Sequence, residues 1–211
     1  GEIVEIEIDS LAHGGAGVGR ADGYVVFARG GLPGDRVRAE ITLSKKRFAE
    51  ARVIERLESG PDRQPERAPH PGAMWQALDY PAQLAAKEAQ VREALERFGE
   101  FDLSRVELDP ILPAGESHDD PAIWNYRNKL EFSFGLSDDG SLALGYHRPG
   151  HWDVIEDVDD VVLASERANE IRRLVKAWCV ERELSPYDPD EEFGFLRNLV
   201  VREGRATGQT L

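Results

Sequence analysis

Residues 14–37 read GGAGVGRADGYVVFARGGLPGDRV, and the fold turns on how their glycines are taken. Gly14, Gly15, Gly17 and Gly19 crowd into six residues. A phosphate-cradling loop sets such glycines between a strand and a helix N-terminus, where free backbone N–H groups meet the anion. No helical pattern follows here. Ala21-Asp22-Gly23 reads as a turn and Tyr24-Val25-Val26-Phe27 as a strand. The glycines are therefore expected to serve bulges and tight bends in a small curved sheet.

The flanking residues support a sheet. Ile3 to Ile8 is apolar at 3, 4, 6 and 8 and starts a strand. Gly30-Gly31-Leu32-Pro33-Gly34-Asp35 is a turn cluster. Arg36 to Leu43 alternates, with Val37, Ala39, Ile41 and Leu43 on one face. Lys45-Lys46-Arg47-Phe48 makes a basic tip with an aromatic, and Ala49 to Leu57 is a fifth strand. Five short strands and glycine turns in under 60 residues predict a closed barrel of the OB type.

The rest of the chain mixes helices and strands. Gly60, Pro61, Pro65, Pro69 and Pro71 mark a linker. A helix is expected from Tyr80 to Phe98, with Leu84, Val91, Leu95 and Phe98 as its apolar stripe and Gly99 as its stop. Arg127 to Leu136 and Leu142 to His147 form a hairpin around Asp138-Asp139-Gly140. Val154 to Val162 is a short extended piece, and Ser165 N-caps a helix running to Leu184. Phe195 to Arg202 and Gln209 to Leu211 are further extended stretches. The expected class is α+β: an OB-like five-stranded barrel over 1–57, a linker over 58–79, and an α/β central domain over 80–211 with an antiparallel sheet and two main helices.

Charge constrains function. The 211 residues carry 26 basic and 40 acidic side chains, a net −14. Residues 1–56 balance at 9 and 9, whereas residues 101–211 hold 12 basic and 23 acidic. A nucleic-acid binder shows a basic footprint. Any such role must rest on a local patch, most easily in the neutral first segment; the bland reading of the acidity is solubility. One cysteine excludes an intrachain disulfide and an all-cysteine metal site. No apolar run nears the roughly 18 residues of a membrane span, and a cytoplasmic protein is expected.

Three stretches together resemble the TRAM-domain class I S-adenosylmethionine-dependent RNA (uracil-5-)methyltransferases. They are GGAGVGRADGYVVFARGGLPGDRV with SKKRFAEARV, then WQALDYPAQLAAKEAQVREAL, then YRNKLEFSFG, LGYHRPG and GFLRNLVVREG with TGQTL. The resemblance covers essentially the whole chain. It implies a TRAM barrel followed by the family's central domain, and RNA, ribosomal or transfer, as substrate. In that family a Rossmann-like methyltransferase domain follows, with the S-adenosylmethionine loop, a cysteine nucleophile and a general base. This chain ends before it, so the chain alone is not expected to methylate. Uracil C5 is a poor nucleophile until a thiolate adds at C6. The only thiol, Cys179 in VKAWCVERE, reads better as a packed core residue than as that nucleophile.

Many members of the family ligate an iron–sulfur cluster with four cysteines. Here the matching region, Pro69-His70-Pro71-Gly72-Ala73-Met74-Trp75-Gln76, is shortened, and the fourth position is Val161. The cluster is expected to be absent. His70, His118, His147 and His151 are too scattered in sequence for a substitute metal site.

RNA contact needs cations for phosphates and flat faces for unstacked bases. Lys45, Lys46, Arg47 and Phe48 supply both, though a solvated turn would use the same residues. Arg20 and Arg29 border the glycine turns and extend that face. Arg127, Asn128 and Lys129 match the family strand that faces RNA; the competing reading is a strand salt-bridged through Glu131. His147 and Arg148 join them or form an ordinary polar turn. Arg197 and Asn198 match a domain-junction pattern with a structural role favoured, and Trp75, Trp124 and Trp152 read as packing rather than base platforms. The acids of 153–160 and 188–192 have no mechanism-specific spacing.

The expected role is to hold RNA and present a flipped uridine to the methyltransferase domain. The strand at 209–211 is expected to lack its continuation and the helix at 80–98 a partner surface, and either is a surface through which a homodimer could form. The alternative is a non-catalytic acidic protein-interaction scaffold carrying a TRAM domain.

Overall fold

Alternation of small and branched apolar residues through the first 58 positions closes into a barrel. A computed structural model describes every residue except 69, 71, 149, 150 and 152. Pro69 and Pro71 of the expected linker and Trp152 lie outside the described residues. Strands β1 (Ile3–Leu11), β2 (Gly17–Ala21), β3 (Tyr24–Arg29), β4 (Arg36–Ser44) and β5 (Phe48–Glu58) run around the barrel in the order β1-β2-β3-β5-β4. All pairs are antiparallel except β3 with β5. Ile6, Ile8, Val26, Ala28, Val37, Ala39, Ala49 and Ala51 fill the interior. Four of the eight are alanine, which suits the narrow lumen of five strands.

The glycine-rich stretch divides. Gly14 and Gly15, with φ +91° and +92°, make the expected turn. Gly17 and Gly19 instead lie inside β2, where the expected bends are replaced by close packing. A Cβ on Gly17 would stand 2.7 Å from the Gly31 carbonyl oxygen and 2.8 Å from Ile8 Cγ2, and one on Gly19 would overlap the Glu7 carbonyl. The expected bulge falls on the partner strand, where the β1–β2 register shifts between Ile8 and Ser10.

The chain folds as two compact units, and the boundary differs from the sequence expectation. Residues 74–119 group with the barrel in the first unit, and residues 67–73 group with 120–211 in the second. The reason lies in α1 (Tyr80–Arg97). Its Ala82 and Ala86 pack on Leu11, Leu32, Ala77 and Leu78, and Gln90 donates from Nε2 to the Leu11 and Ala12 carbonyls at 3.2 and 3.1 Å. The expected stripe is not the buried face: Val91 and Phe98 are exposed, and Leu84 and Leu95 are half-buried. Residues 58–66 are no free linker either. Asp35, fully buried, accepts from Leu32 N–H and Gly60 N–H at 2.9 Å each and from Arg63 Nη2 at 2.6 Å. Burial raises the Asp35 pKa, but the bonds from Arg63, Gly60 and Leu32 outweigh it and hold the carboxyl below its ordinary range.

In the second unit β6 (Lys129–Leu136), β7 (Leu142–His147), β8 (Ile155–Asp157), β9 (Asn198–Gly204) and β10 (Gln209–Thr210) form an antiparallel sheet in the order β10-β9-β6-β7-β8. The stretch 209–211 therefore pairs with β9, and Leu211 and Arg202 exchange backbone bonds at 2.7 and 2.8 Å. Leu130, Phe132, Phe134, Leu144 and Val201 form the core face. Helix α2 (Glu166–Glu181) covers it through Ala168, Ile171, Val175 and Cys179, a helical spacing. Ser165 Oγ accepts from Ala168 N–H at 3.0 Å, the expected N-cap. Among the described residues no helix is long and apolar enough to cross a membrane.

Candidate nucleic-acid interface

The barrel's outer wall sorts its charges by strand. Because strand side chains alternate, the inward positions of β2, β3 and β5 fix which residues face out. Gly19, Val26, Ala28, Ala49 and Ala51 point in. The register then sets Arg20 opposite Val25, Val25 beside Phe48, Phe27 beside Glu50, and Arg29 beside Arg52 on the outer surface. Lys45, Lys46 and Arg47 are exposed on the turn between β4 and β5, which Lys45 N–H closes on the Phe48 carbonyl at 2.9 Å.

On the wall formed by β1, β4 and the far end of β5, the arginines other than Arg56 are paired with acids. Arg38 pairs with Glu5 at 2.8 Å and with Glu55, Arg36 pairs with Glu58, and Arg52 pairs with Glu40 at 3.2 Å. Arg20, Arg29, Lys45, Lys46 and Arg47 make no ion pair among the described residues, although Arg20 Nη1 donates to the Gly23 carbonyl at 3.4 Å. The first unit thus gathers free positive charge on one side of a segment whose formal charge is zero. That meets the condition the sequence set for an RNA contact.

Two aromatic rings lie among these cations. Phe48 and Phe27 meet edge to face, with ring centroids 5.6 Å apart and planes at 76°. Both are half-buried. Sequence reasoning singled out Phe48 and missed Phe27. The signal was present in Tyr24–Arg29: once Val26 and Ala28 are placed inward, Phe27 must face out.

The candidates of the second unit are distributed differently. Lys129 pairs with Glu131 at 3.1 Å, the competing reading given above. Arg148 pairs with Glu156 at 2.8 Å and Asp138 at 3.5 Å. His147 Nε2 lies 3.1 Å from Ser133 Oγ. Asn128 is exposed, and its carbonyl accepts from Glu203 N–H at 2.8 Å. Arg127 is exposed and has no ion pair among the described residues. Arg197 stacks 3.6 Å over the Tyr187 ring, a structural contact. Trp124 is buried beneath the Arg67 guanidinium, and Trp75 donates from Nε1 to the Gly15 carbonyl at 3.1 Å, so both pack as expected. The acids of 153–160 are largely structural partners: Asp157 pairs with Lys176 and Asp160 with Arg173 at 3.4 Å.

Buried polar groups of the second unit were also missed. Arg172 lies inside, donating to the Leu144 and Asp159 carbonyls at 3.1 and 2.9 Å. His70 Nδ1 accepts from Gly72 N–H at 2.9 Å, and its ring lies 5.1 Å from that of Tyr146. Burial, and then the Arg127 charge, push its pKa below the ordinary histidine value.

The glycines of 14–19 run into a strand, not a helix, so this stretch does not offer a methyl donor the helix N-terminus of a nucleotide-binding loop. Cys179 is buried in the core, and burial raises its thiol pKa, which disfavours a thiolate. Among the described residues no three His, Cys, Asp or Glu side chains gather as a metal site.

Residues 1–54 match the family model of the TRAM domain. Over its full length the chain is 34% identical, across 216 residues, to an uncharacterised RNA methyltransferase of Halalkalibacterium halodurans. It is 37% identical, across 217 residues, to one of Nitratidesulfovibrio vulgaris. Each match covers 100% of this chain and 44% of the relative, so the chain spans less than half the length of the curated relatives it matches. A crystal structure of Pyrococcus abyssi tRNA (uracil-54, C5)-methyltransferase, in complex with S-adenosyl-L-homocysteine, shares the fold. Its TM-score is 0.69 at 23% identity, over 98% of this chain and 44% of that one. The chain thus matches the TRAM domain over its first 54 residues and, over its whole length, resembles part of proteins named as RNA methyltransferases.

Proposed function

We propose that this chain is the RNA-recognition portion of an S-adenosylmethionine-dependent RNA (uracil-5-)methyltransferase acting on ribosomal or transfer RNA in the cytoplasm. The observation that carries the reading is the group of uncompensated cations on the barrel, Arg20, Arg29, Lys45, Lys46 and Arg47, in a chain of net charge −14. Charge left unpaired amid so many acids is placed for an anion outside the chain. Arg127, Asn128, Lys129, His147 and Arg148 serve as secondary contacts, with Arg127 the most available because it carries no ion pair among the described residues. On this reading methyl transfer belongs to a separate domain that binds the donor, and an iron–sulfur cluster is not expected in this chain.

The test is fluorescence anisotropy of a uridine-containing stem-loop RNA with this chain over a salt series. Binding that weakens steeply with salt is expected. Absence of binding at low salt overturns the reading and favours the acidic interaction scaffold. Sedimentation in the same buffers tests the homodimer.

A further inference from the structure

We infer that the outer wall of β2, β3 and β5 is a seat for unpaired nucleotides, with bases stacking at Phe27 and Phe48 and phosphates held by Arg20, Arg29 and the Lys45–Arg47 turn. This deepens the RNA reading above and rests on it, because it names which form of RNA the barrel takes.

The argument begins with what a duplex offers. A paired helix presents phosphates, sugars and groove edges, while its base faces are stacked inside. A wall built for a duplex needs cations alone. Here the cations surround two outward rings, and every base has a flat face that stacks on an aromatic regardless of its identity. The rings are held by their own edge-to-face contact at 5.6 Å. In that arrangement one ring keeps both faces unstacked by the other.

The backbone fixes the position of the pair. Phe48 is the first residue of β5 and lies beside Val25 in the parallel β3–β5 ladder; Phe27 is two residues further along β3. Tyr24 Oη donates to the Phe48 carbonyl at 3.1 Å and anchors the strand start. Adjacent strands lie about 4.8 Å apart, so Arg20 on β2 and the Lys45–Arg47 turn before β5 flank the rings within about 10 Å on either side. Charge also bounds the seat. Glu5, Glu7 and Asp9 face out along β1 and disfavour an RNA strand there, while on the seat itself Glu50 faces out beside Phe27 as the one acid of the β3–β5 ladder. Half-buried, outward-facing Val25 and Val18 between the cations complete an apolar floor that phosphates alone would not use.

The experiment compares labelled decauridine with a labelled ten-base-pair RNA duplex, using the full chain at one moderate salt concentration. The expected result is at least five-fold tighter binding of decauridine, the lower end of what one stacked base contributes. A Phe27→Leu/Phe48→Leu double variant keeps apolar bulk but removes both rings, and is expected to lose that preference while duplex binding stays unchanged. Phe27→Trp/Phe48→Trp is expected to retain it. Circular dichroism and the thermal midpoint establish that each variant is folded, and the wild-type comparison stands even where one is not. Equal binding of the two RNAs, or a preference that survives in the leucine variant, overturns the inference and leaves the RNA reading intact. Failure to bind either RNA at low salt overturns both.

Discussion

The β2–β3–β5 wall of the barrel unit and the candidate strand and hairpin cations of the sheet unit dispose of their charges differently. Inside the barrel unit the buried carboxylate of Asp35 has both oxygens satisfied, by two backbone N–H groups and by Arg63. On its β2–β3–β5 wall and the adjoining turn, Arg20, Arg29, Lys45, Lys46 and Arg47 have no carboxylate partner among the described residues. Inside the sheet unit, Arg172 Nε, His70 Nε2 and Tyr146 Oη find no hydrogen-bond partner among the described residues. On its surface, Lys129, Arg148, Arg173 and Lys176 each have an acid beside them, whereas Arg127, Arg167 and Arg202 have none among the described residues. The difference teaches that net charge is a poor guide to where an anion binds. Pairing decides it, because a cation already held by a carboxylate has less to gain from a phosphate.

The largest effect that would break this comparison is at Asp35. Asp35→Ala leaves two N–H groups buried without an acceptor and Arg63 with only the Gly30 carbonyl, and should cost about 3–5 kcal/mol in urea unfolding. A loss below 1 kcal/mol would mean that the pair is not what ties residues 58–66 to the barrel.

Next in size is the contrast between free and paired cations. Changing Lys45, Lys46 and Arg47 together to alanine should flatten the slope of log affinity against log salt by about 2 for single-stranded RNA. Lys129→Ala should shift it far less, since Glu131 already neutralises that charge. Equal effects would erase the distinction between the units.

The smallest expected effect is a difference in acid response. His70 has a folded pKa below its unfolded one, so the unfolded state binds more protons between the two values. The sheet unit should lose stability as pH falls from about 6.5. The Asp35 pKa is also depressed in the folded state, so its contribution is kept until pH falls below about 4 and is lost there. Calorimetry at stepped pH should show one transition moving first, and His70→Phe should hold it still between pH 7 and 5. A transition that moves unchanged in that variant would assign the early response to other groups.

Much of the fold could be read in the chain because its signals are local. Alternation at Val37, Ala39 and Ile41, the Asp138-Asp139-Gly140 turn and the Ser165 cap each depend on a few neighbouring residues, and each appears where the spacing puts it. The misplaced face of α1 shows where such reading fails. Leu84, Val91, Leu95 and Phe98 have the hydrophobicity of a buried stripe, yet small Ala82 and Ala86 make the contact. Close approach to Leu11 and Leu32 selects side-chain size, which hydropathy does not register. For the same reason 74–119 joins the barrel unit although its sequence begins after an apparent linker.

The candidate interface divides along the same line. Lys45, Lys46, Arg47 and Phe48 could be found from four adjacent residues, because a charged tip between two strands is a local property. That Lys129 and Arg148 are neutralised, that Arg20 and Arg29 are not, and that Phe27 lies against Phe48 were decided by register and strand order. By itself the sequence determined the strands, the turns, the helix cap and the need for a local basic patch, all set by interactions within a few residues. Only the tertiary structure determined which cations stay unpaired and which rings face solvent, because electrostatic pairing and ring contact depend on distances between residues far apart in the chain.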